Sequence, residues 1–158
     1  MGLFTKNKSL DVFAPVDGEI IDLSKVEDEV FSEKMLGDGL AFIPENGEFV
    51  APIDGKLVTV FPSGHAYGIV NSNGVEILLH IGLDTVSLNG EGFDIKVKQG
   101  QSIKKGDLLV NVDVKSVAAK VPSMHTPLIF TVDSMSGKSF DILKTGKVKK
   151  GDLVAQVK

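Results

Sequence analysis

The chain has no cysteine and no arginine, and only one tyrosine among its 158 residues. Without cysteine there can be no disulfide, no thiolate nucleophile and no cysteine-based zinc site, which fits a protein never exported to an oxidising compartment. Without arginine, any chemistry on a phosphate falls to histidine, lysine, hydroxyls and backbone N–H groups. Basic charge is sparse as well: the formal net charge is −4, with the lysines scattered, and nucleic-acid binding needs a basic face. No apolar run approaches the roughly 18 residues of a membrane span, and no apolar segment with a cleavage site follows the N-terminus. A cytoplasmic protein is expected.

Hydrophobic residues make up 42% of the chain and charged residues 24%, the balance of an ordinary globular domain with a sizeable core. Two internal echoes organise it. APVDGEI at 14–20 recurs as APIDGKL at 51–57, and KKGDLLVNVD at 104–113 recurs as KKGDLVAQVK at 149–158. In A-P-x-D-G, proline fixes φ, aspartate can close an Asx turn and glycine opens the backbone, and a β-rich run follows. With roughly ten short strand candidates and turns this dense in glycine, the expected fold is all-β. The echoes point to an internally duplicated antiparallel β-sandwich or barrel. Helix is confined to short pieces near 30–36 and 114–120, stable only if packed. Residues 1–10 form a separate basic segment, expected to be a flexible tail with Leu3, Phe4, Lys6 and Lys8 able to touch an anionic membrane. Residues 11–158 are expected to form a single domain.

Two of the three histidines, His65 and His80, bracket the stretch HAYGIVNSNGVEILLH. Asn71-Ser72-Asn73-Gly74 is a turn signal between two strand-like runs, because Asn and Gly tolerate positive φ. Closure about Ser72-Asn73 sets His65 opposite His80. Closure about Asn73-Gly74 sets Tyr67 opposite His80 and makes His65 a diagonal neighbour, roughly 7–8 Å away. By alternation Val75, Ile77, Leu79 and Ile81 share one face, and Glu76, Leu78 and His80 the other.

Three chemistries can use facing histidines. Zinc hydrolysis needs a third ligand, but no His-x-His or H-E-x-x-H pattern is present, and His125 stands in a proline-flanked loop where a solvated side chain is expected. General acid–base catalysis has Asp84 four residues beyond His80, but no G-x-S-x-G elbow or cysteine to act as acyl nucleophile. Phosphoryl relay needs one imidazole nitrogen freed by a proton fixed on the other. Gly82, two residues after His80, lets a carbonyl bend close enough to hold that proton. His65 and Ser63 are placed to stabilise phosphoryl oxygens.

The segments MLGDGLAFIP, VAPIDGKLVTVFPSGHAYGIVNSNGVEILLHIGLDTVSLNGEGF and KKGDLL, together with the MGLF start, resemble the glucose-type enzyme IIA family of the bacterial phosphoenolpyruvate-dependent sugar phosphotransferase system. The resemblance covers nearly the whole chain, and GVEILLHIGLDTVSLNGEGF is its most specific block. It implies an antiparallel β-sandwich and a phosphocarrier between the protein HPr and a sugar-specific IIB domain, with no organic cofactor and no catalytic need for a metal. Carried over residue by residue, it makes His80 the residue phosphorylated on Nε2 and His65 its partner at the phosphoryl group. Ser63 stands where a threonine is usual and assists His65. Asp38 and Asp84 are the acidic residues around the site, suited to basic partner surfaces. Met35, Leu36, Leu40, Phe61, Tyr67, Leu78 and Val86 form an apolar docking ring. Tyr67-Gly68, where many members have Phe-Ser, and the segment between 114 and 125 depart from the family pattern. The rival readings are a lysostaphin-like zinc peptidase of similar duplicated β architecture, and a biotinyl or lipoyl carrier. The carrier is disfavoured because no M-K-M or D-K-A hairpin tip is present.

Overall fold

The computed structural model describes residues 9–158. The expected membrane contact of the N-terminal segment rests on residues that lie outside this range. Leu10, assigned to the tail, instead opens the first strand, paired with Val157.

Eight strands form one antiparallel sheet in the order β13 (Gly146–Val148), β2 (Gly18–Asp22), β3 (Gly37–Pro44), β11 (Thr126–Thr131), β7 (Glu76–His80), β6 (Ala66–Val70), β5 (Gly55–Val60) and β9 (Ser102–Ile103). Two three-stranded sheets pack against it. One runs β1 (Leu10–Phe13), β14 (Leu153–Val157), β12 (Phe140–Ile142), and the other β4 (Glu48–Val50), β10 (Leu108–Val112), β8 (Phe93–Ile95). The order is two-fold. β7 pairs with β11 across the centre through Leu79 and Leu128, and each strand on one side has a counterpart on the other.

The echoes explain the symmetry physically, because each A-P-x-D-G turn meets a K-K-G-D turn distant in sequence. Ala14 N–H donates to Asp152 O at 2.8 Å and Ala14 O accepts from Gly151 N at 2.9 Å; Ala51 does the same with Asp107 O and Gly106 N, both at 2.8 Å. The aspartates complete each joint: Asp17 accepts Lys150 N–H and Asp54 accepts Lys105 N–H, both at 2.8 Å. Buried backbone groups at these corners are thereby paired, which a barrel corner without a continuous ladder requires.

One apolar core fills the space between the sheets, with Phe42, Phe49, Ile69, Ile77, Leu79 and Phe130 fully buried in it. A smaller cluster of Leu23, Val26, Phe31, Ala41, Leu83 and Ile129 lies apart from it. Ala41 and Ile129 alternate with core residues along β3 and β11, so this cluster covers the opposite face of the large sheet. The connection between β2 and β3 supplies most of its cover. It contains α1 (Glu29–Ser32), whose N-terminus Asp28 caps by accepting Val30 N–H at 3.0 Å. The other helix, α2 (Val114–Ala118), is capped by Asp113 and held by buried Val117. Both helices fall near the expected places but are shorter, as expected where packing alone stabilises a single turn.

Candidate functional site

The hairpin carrying the histidines closes in neither expected register. Ala66 pairs with His80, Tyr67 with Leu79 and Val70 with Glu76, leaving Ser72-Asn73-Gly74 as a three-residue loop. Gly74 N donates to Asn71 O and Asn71 N to Val75 O, both at 3.0 Å, with Gly74 at φ 84°. This is the usual geometry when a type I turn ends in a left-handed residue. Alternation within β7 is as expected: Ile77 and Leu79 are buried while Glu76, Leu78 and His80 are half-buried on the other face.

His65 lies just outside β6, after Gly64 turns the chain at φ 77°. Its carbonyl accepts Ile81 N–H at 2.7 Å, so its backbone is opposite Ile81, yet its ring meets His80 with centroids 5.0 Å apart at 78°. Phe61 lies edge-on to His65 at 5.2 Å, and Phe31 is tilted against His80 at 5.0 Å. Four rings thus run in a row, Phe31, His80, His65, Phe61, with the two imidazoles in the middle.

Hydrogen bonds make the imidazoles unequal. His80 Nδ1 is 2.8 Å from Gly82 O. A carbonyl only accepts, so Nδ1 carries the proton and the lone pair is on Nε2. His65 Nδ1 is 2.5 Å from Ser63 Oγ, a hydroxyl able to donate or accept. Burial, aided by the neighbouring His80, pushes His65 down to about 4. Burial also lowers His80, against the opposing pull of the Gly82 carbonyl and the Asp28 carboxylate. Both rings are therefore neutral near pH 7, the state in which an imidazole nitrogen is a nucleophile.

Around this pair the expected ring divides. Met35, Leu36, Phe61 and Val86 are exposed, and Leu78 is half-buried against the smaller cluster. Tyr67 and Leu40, expected in the ring, are in the main core at 0% and 2% exposure. Tyr67 shares the face of its partner Leu79, and burial pushes its phenol well above the usual range. Asp84 is exposed, in a left-handed conformation at φ 61°. Asp38 is exposed and ion-pairs with Lys34 at 3.3 Å. His125 is not a solvated loop side chain: its Nδ1 is buried with no protein partner. Phe31 and Asp28 escaped the sequence reading, although D-x-x-F at 28–31 is an N-cap three residues before an aromatic. Among the described residues no group of three His, Cys, Asp or Glu is arranged to hold a metal ion, and no helix is long and apolar enough to cross a membrane.

Residues 10–136 match the family described as phosphoenolpyruvate-dependent sugar phosphotransferase system, EIIA 1. The chain is 59% identical over 152 residues to the PTS system glucose-specific EIIA component of Mycoplasma capricolum, covering 96% of this chain and 97% of the relative. It is 47% identical over 147 residues to the PTS system glucose-specific EIICBA component of Staphylococcus carnosus, covering 93% of this chain and 22% of that longer protein. Its fold matches the solved glucose permease IIA from Mycoplasma capricolum with a TM-score of 0.90 and 58% identity, over 95% of this chain and 96% of the other.

Proposed function

The chain belongs to the EIIA 1 family of the phosphoenolpyruvate-dependent sugar phosphotransferase system, and from that premise we propose that it is a phosphocarrier acting through a phosphohistidine at His80. The observation that carries this reading is the 2.8 Å bond from His80 Nδ1 to Gly82 O, which commits the lone pair to Nε2. That lone pair attacks the phosphorus of the phosphohistidine on HPr. The new N–P bond forms as the old one breaks, and the electron pair returns to the donor imidazole. Phosphorylated His80 keeps its Nδ1 proton on Gly82 O, which stabilises the positive ring. Ser63 donates to His65 Nδ1, leaving the proton of His65 on Nε2 to hydrogen-bond a phosphoryl oxygen. Onward transfer to an IIB domain runs the same steps in reverse, with a IIB side chain as the nucleophile. Phosphoryl transfer asks mainly for such positioning and charge stabilisation.

Donor and acceptor must reach the same nitrogen, so HPr and IIB bind the same surface in turn. Exposed Met35, Leu36, Phe61 and Val86 give it apolar contact, and Asp38 and Asp84 favour basic partners. The relay operates in the cytoplasm, where soluble phosphocarriers meet. The zinc-peptidase alternative gains no support from the site or the relatives. Incubation with phosphoenolpyruvate, enzyme I and HPr is expected to load one acid-labile, base-stable phosphate on His80. No loading, or loading retained in His80→Ala, overturns the reading.

A further inference from the structure

We infer that Thr85 is a positioning residue for phosphoryl transfer: its hydroxyl holds the backbone that aims Gly82 O at His80 Nδ1, and so selects the tautomer of His80. This rests on the reading of His80 as the phosphoryl acceptor. Thr85 is fully buried, and its Oγ1 donates to Ile81 O at 2.7 Å. The same peptide segment is held from the other side, where Ile81 N donates to His65 O at 2.7 Å. Ile81 is therefore tied both to the partner histidine and to Thr85.

The next residue, Gly82, is at φ 73°, and a Cβ there would lie 2.7 Å from Thr85 Cγ2. Leu83 N donates to Ser123 O at 2.9 Å, fixing the far end of the turn. The Gly82 carbonyl is thus set between two anchored residues. Without the hydroxyl, Ile81 O would be a buried acceptor with no partner, and the turn would rotate to find one. A carbonyl that swings away releases the His80 proton to distribute between Nδ1 and Nε2. Protonated at Nε2, the ring has no lone pair where the phosphoryl group must land. The Thr85 hydroxyl is bonded to the backbone of Ile81, so its effect reaches His80 through the Gly82 carbonyl.

The test uses the full chain with Thr85→Val, which keeps shape and removes the hydroxyl, and Thr85→Ser, which keeps the hydroxyl. The two ring nitrogens of His80 are read by nitrogen-15 NMR in the absence of any partner, and phosphate uptake from phosphorylated HPr is followed by rapid quench. Wild type and Thr85→Ser are expected to show a single Nδ1-protonated ring. Thr85→Val is expected to show a mixture, and to accept phosphate about tenfold more slowly, the scale of one hydrogen bond's preference. If Thr85→Val does not fold, Thr85→Ser against Thr85→Ala supplies a second pair differing only in the hydroxyl. An unchanged tautomer in the hydroxyl-free variant overturns the inference, even if stability drops. A wild-type chain that refuses phosphate while showing the Thr85-dependent tautomer would overturn the phosphocarrier reading and leave the positioning role standing.

Discussion

The half-sheet β13-β2-β3-β11 repeats the half-sheet β9-β5-β6-β7, and the ladder registers allow residues to be matched across the central dyad. The pair Glu19 and Ile43 corresponds to Lys56 and Val70. Two residues along, Ala41 and Pro127 correspond to Gly68 and Leu78, and two further, Gly39 and Ile129 correspond to Ala66 and His80. Ile129 therefore stands at the mate of His80, and Asp38 at the mate of His65. Glycine precedes both mates, although Gly37 is at φ 149° and Gly64 at φ 77°. The ladders correspond apart from a register shift between Leu57 and Thr59 in β5, and the connections do not. Between β2 and β3 the chain makes the detour that roofs Ile129 with Leu23, Val26 and Phe31. Between β5 and β6 it makes a tight turn that sets Phe61 against His65 and leaves His80 half-buried. One scaffold gives a sealed apolar patch in one half and a pair of facing imidazoles in the other, with different connections and different side chains at the matched positions.

The sharpest way to break this comparison is to alter both mates. His80→Ala is expected to abolish phosphate acceptance with little change in stability, because a half-buried imidazole contributes few core contacts. Ile129→Ala is expected to cost about 2–5 kcal/mol of stability, the usual range for a buried Ile truncated to Ala, and to leave acceptance intact in the folded fraction. Urea unfolding and quench-flow phosphorylation on the same two variants check it. Equal destabilisation, or any loss of acceptance with Ile129→Ala beyond its unfolded fraction, would show that the halves are not divided between stability and chemistry.

The next pair separates transit from docking. His65→Gln is expected to slow onward transfer to IIB by about 10²–10³, the cost of losing one charge-stabilising donor, with less effect on acceptance. Asp38→Asn, at the matching site, is expected to act through KM for a basic partner and to leave kcat unchanged. Wild-type transfer in His65→Gln, or a fall in kcat with Asp38→Asn, goes against this division.

Much of this division is legible in the sequence, and each failure has its own physical source. The echoes announced the duplication, and the alternation of Val75 to Ile81 gave the outward face of His80, because a strand with one face in the core carries its own register. The turn did not carry it. NSNG accommodates two-residue and three-residue loops alike, and a one-residue slip moves every side chain of the opposite strand to the other face. Tyr67, opposite His80 in one of the two expected registers, is instead beside Leu79 in the core. Leu40 failed differently. It lies on β3, a strand covered on both faces, where alternation no longer separates surface from interior. The Phe31 contact was hidden because a four-residue helix has no periodicity to detect.

Acidification from pH 6.5 towards 4 probes the histidine pair, since Ile129 binds no proton and the carboxyls of Asp17 and Asp22 in its half are held below their usual range. His65 titrates at about 4 in the folded chain against 6.5 for an unperturbed imidazole. Between these values the unfolded chain holds a proton that the fold lacks, so stability is fully present above pH 6.5 and falls as pH drops towards about 4. The loss amounts to about 3 kcal/mol for His65, and His80, also lowered, adds in the same direction. Urea midpoints measured down this range should fall in the wild type and fall much less in a His65→Gln, His80→Ala double variant. A wild-type curve flat to pH 4.5 would mean that the pair is not desolvated as described.

The smallest effect tests whether the symmetry is energetic as well as geometric. Asp17 and Asp54 are mates, each accepting one backbone N–H from a distant lysine at 2.8 Å, a bond worth about 1 kcal/mol net. Asp17 has more: it also accepts from Asn46 Nδ2 at 2.9 Å and is half-buried, whereas Asp54 is exposed. The Lys150 N–H and the Asn46 amide hold the Asp17 carboxyl below its usual range. Its contribution is therefore present above the unfolded carboxylate pKa and is lost as pH falls through the depressed one. Asp17→Ala is expected to cost about 1–2 kcal/mol at pH 7 and Asp54→Ala about half that, since water competes for the exposed joint. Both should leave phosphate acceptance untouched, because the joints lie at the barrel corners rather than beside the imidazoles. Urea unfolding of the two variants decides it. A larger cost at Asp54, or a change in acceptance with either, would mean that the corners are coupled to the site and that the two halves do not keep scaffold and chemistry apart.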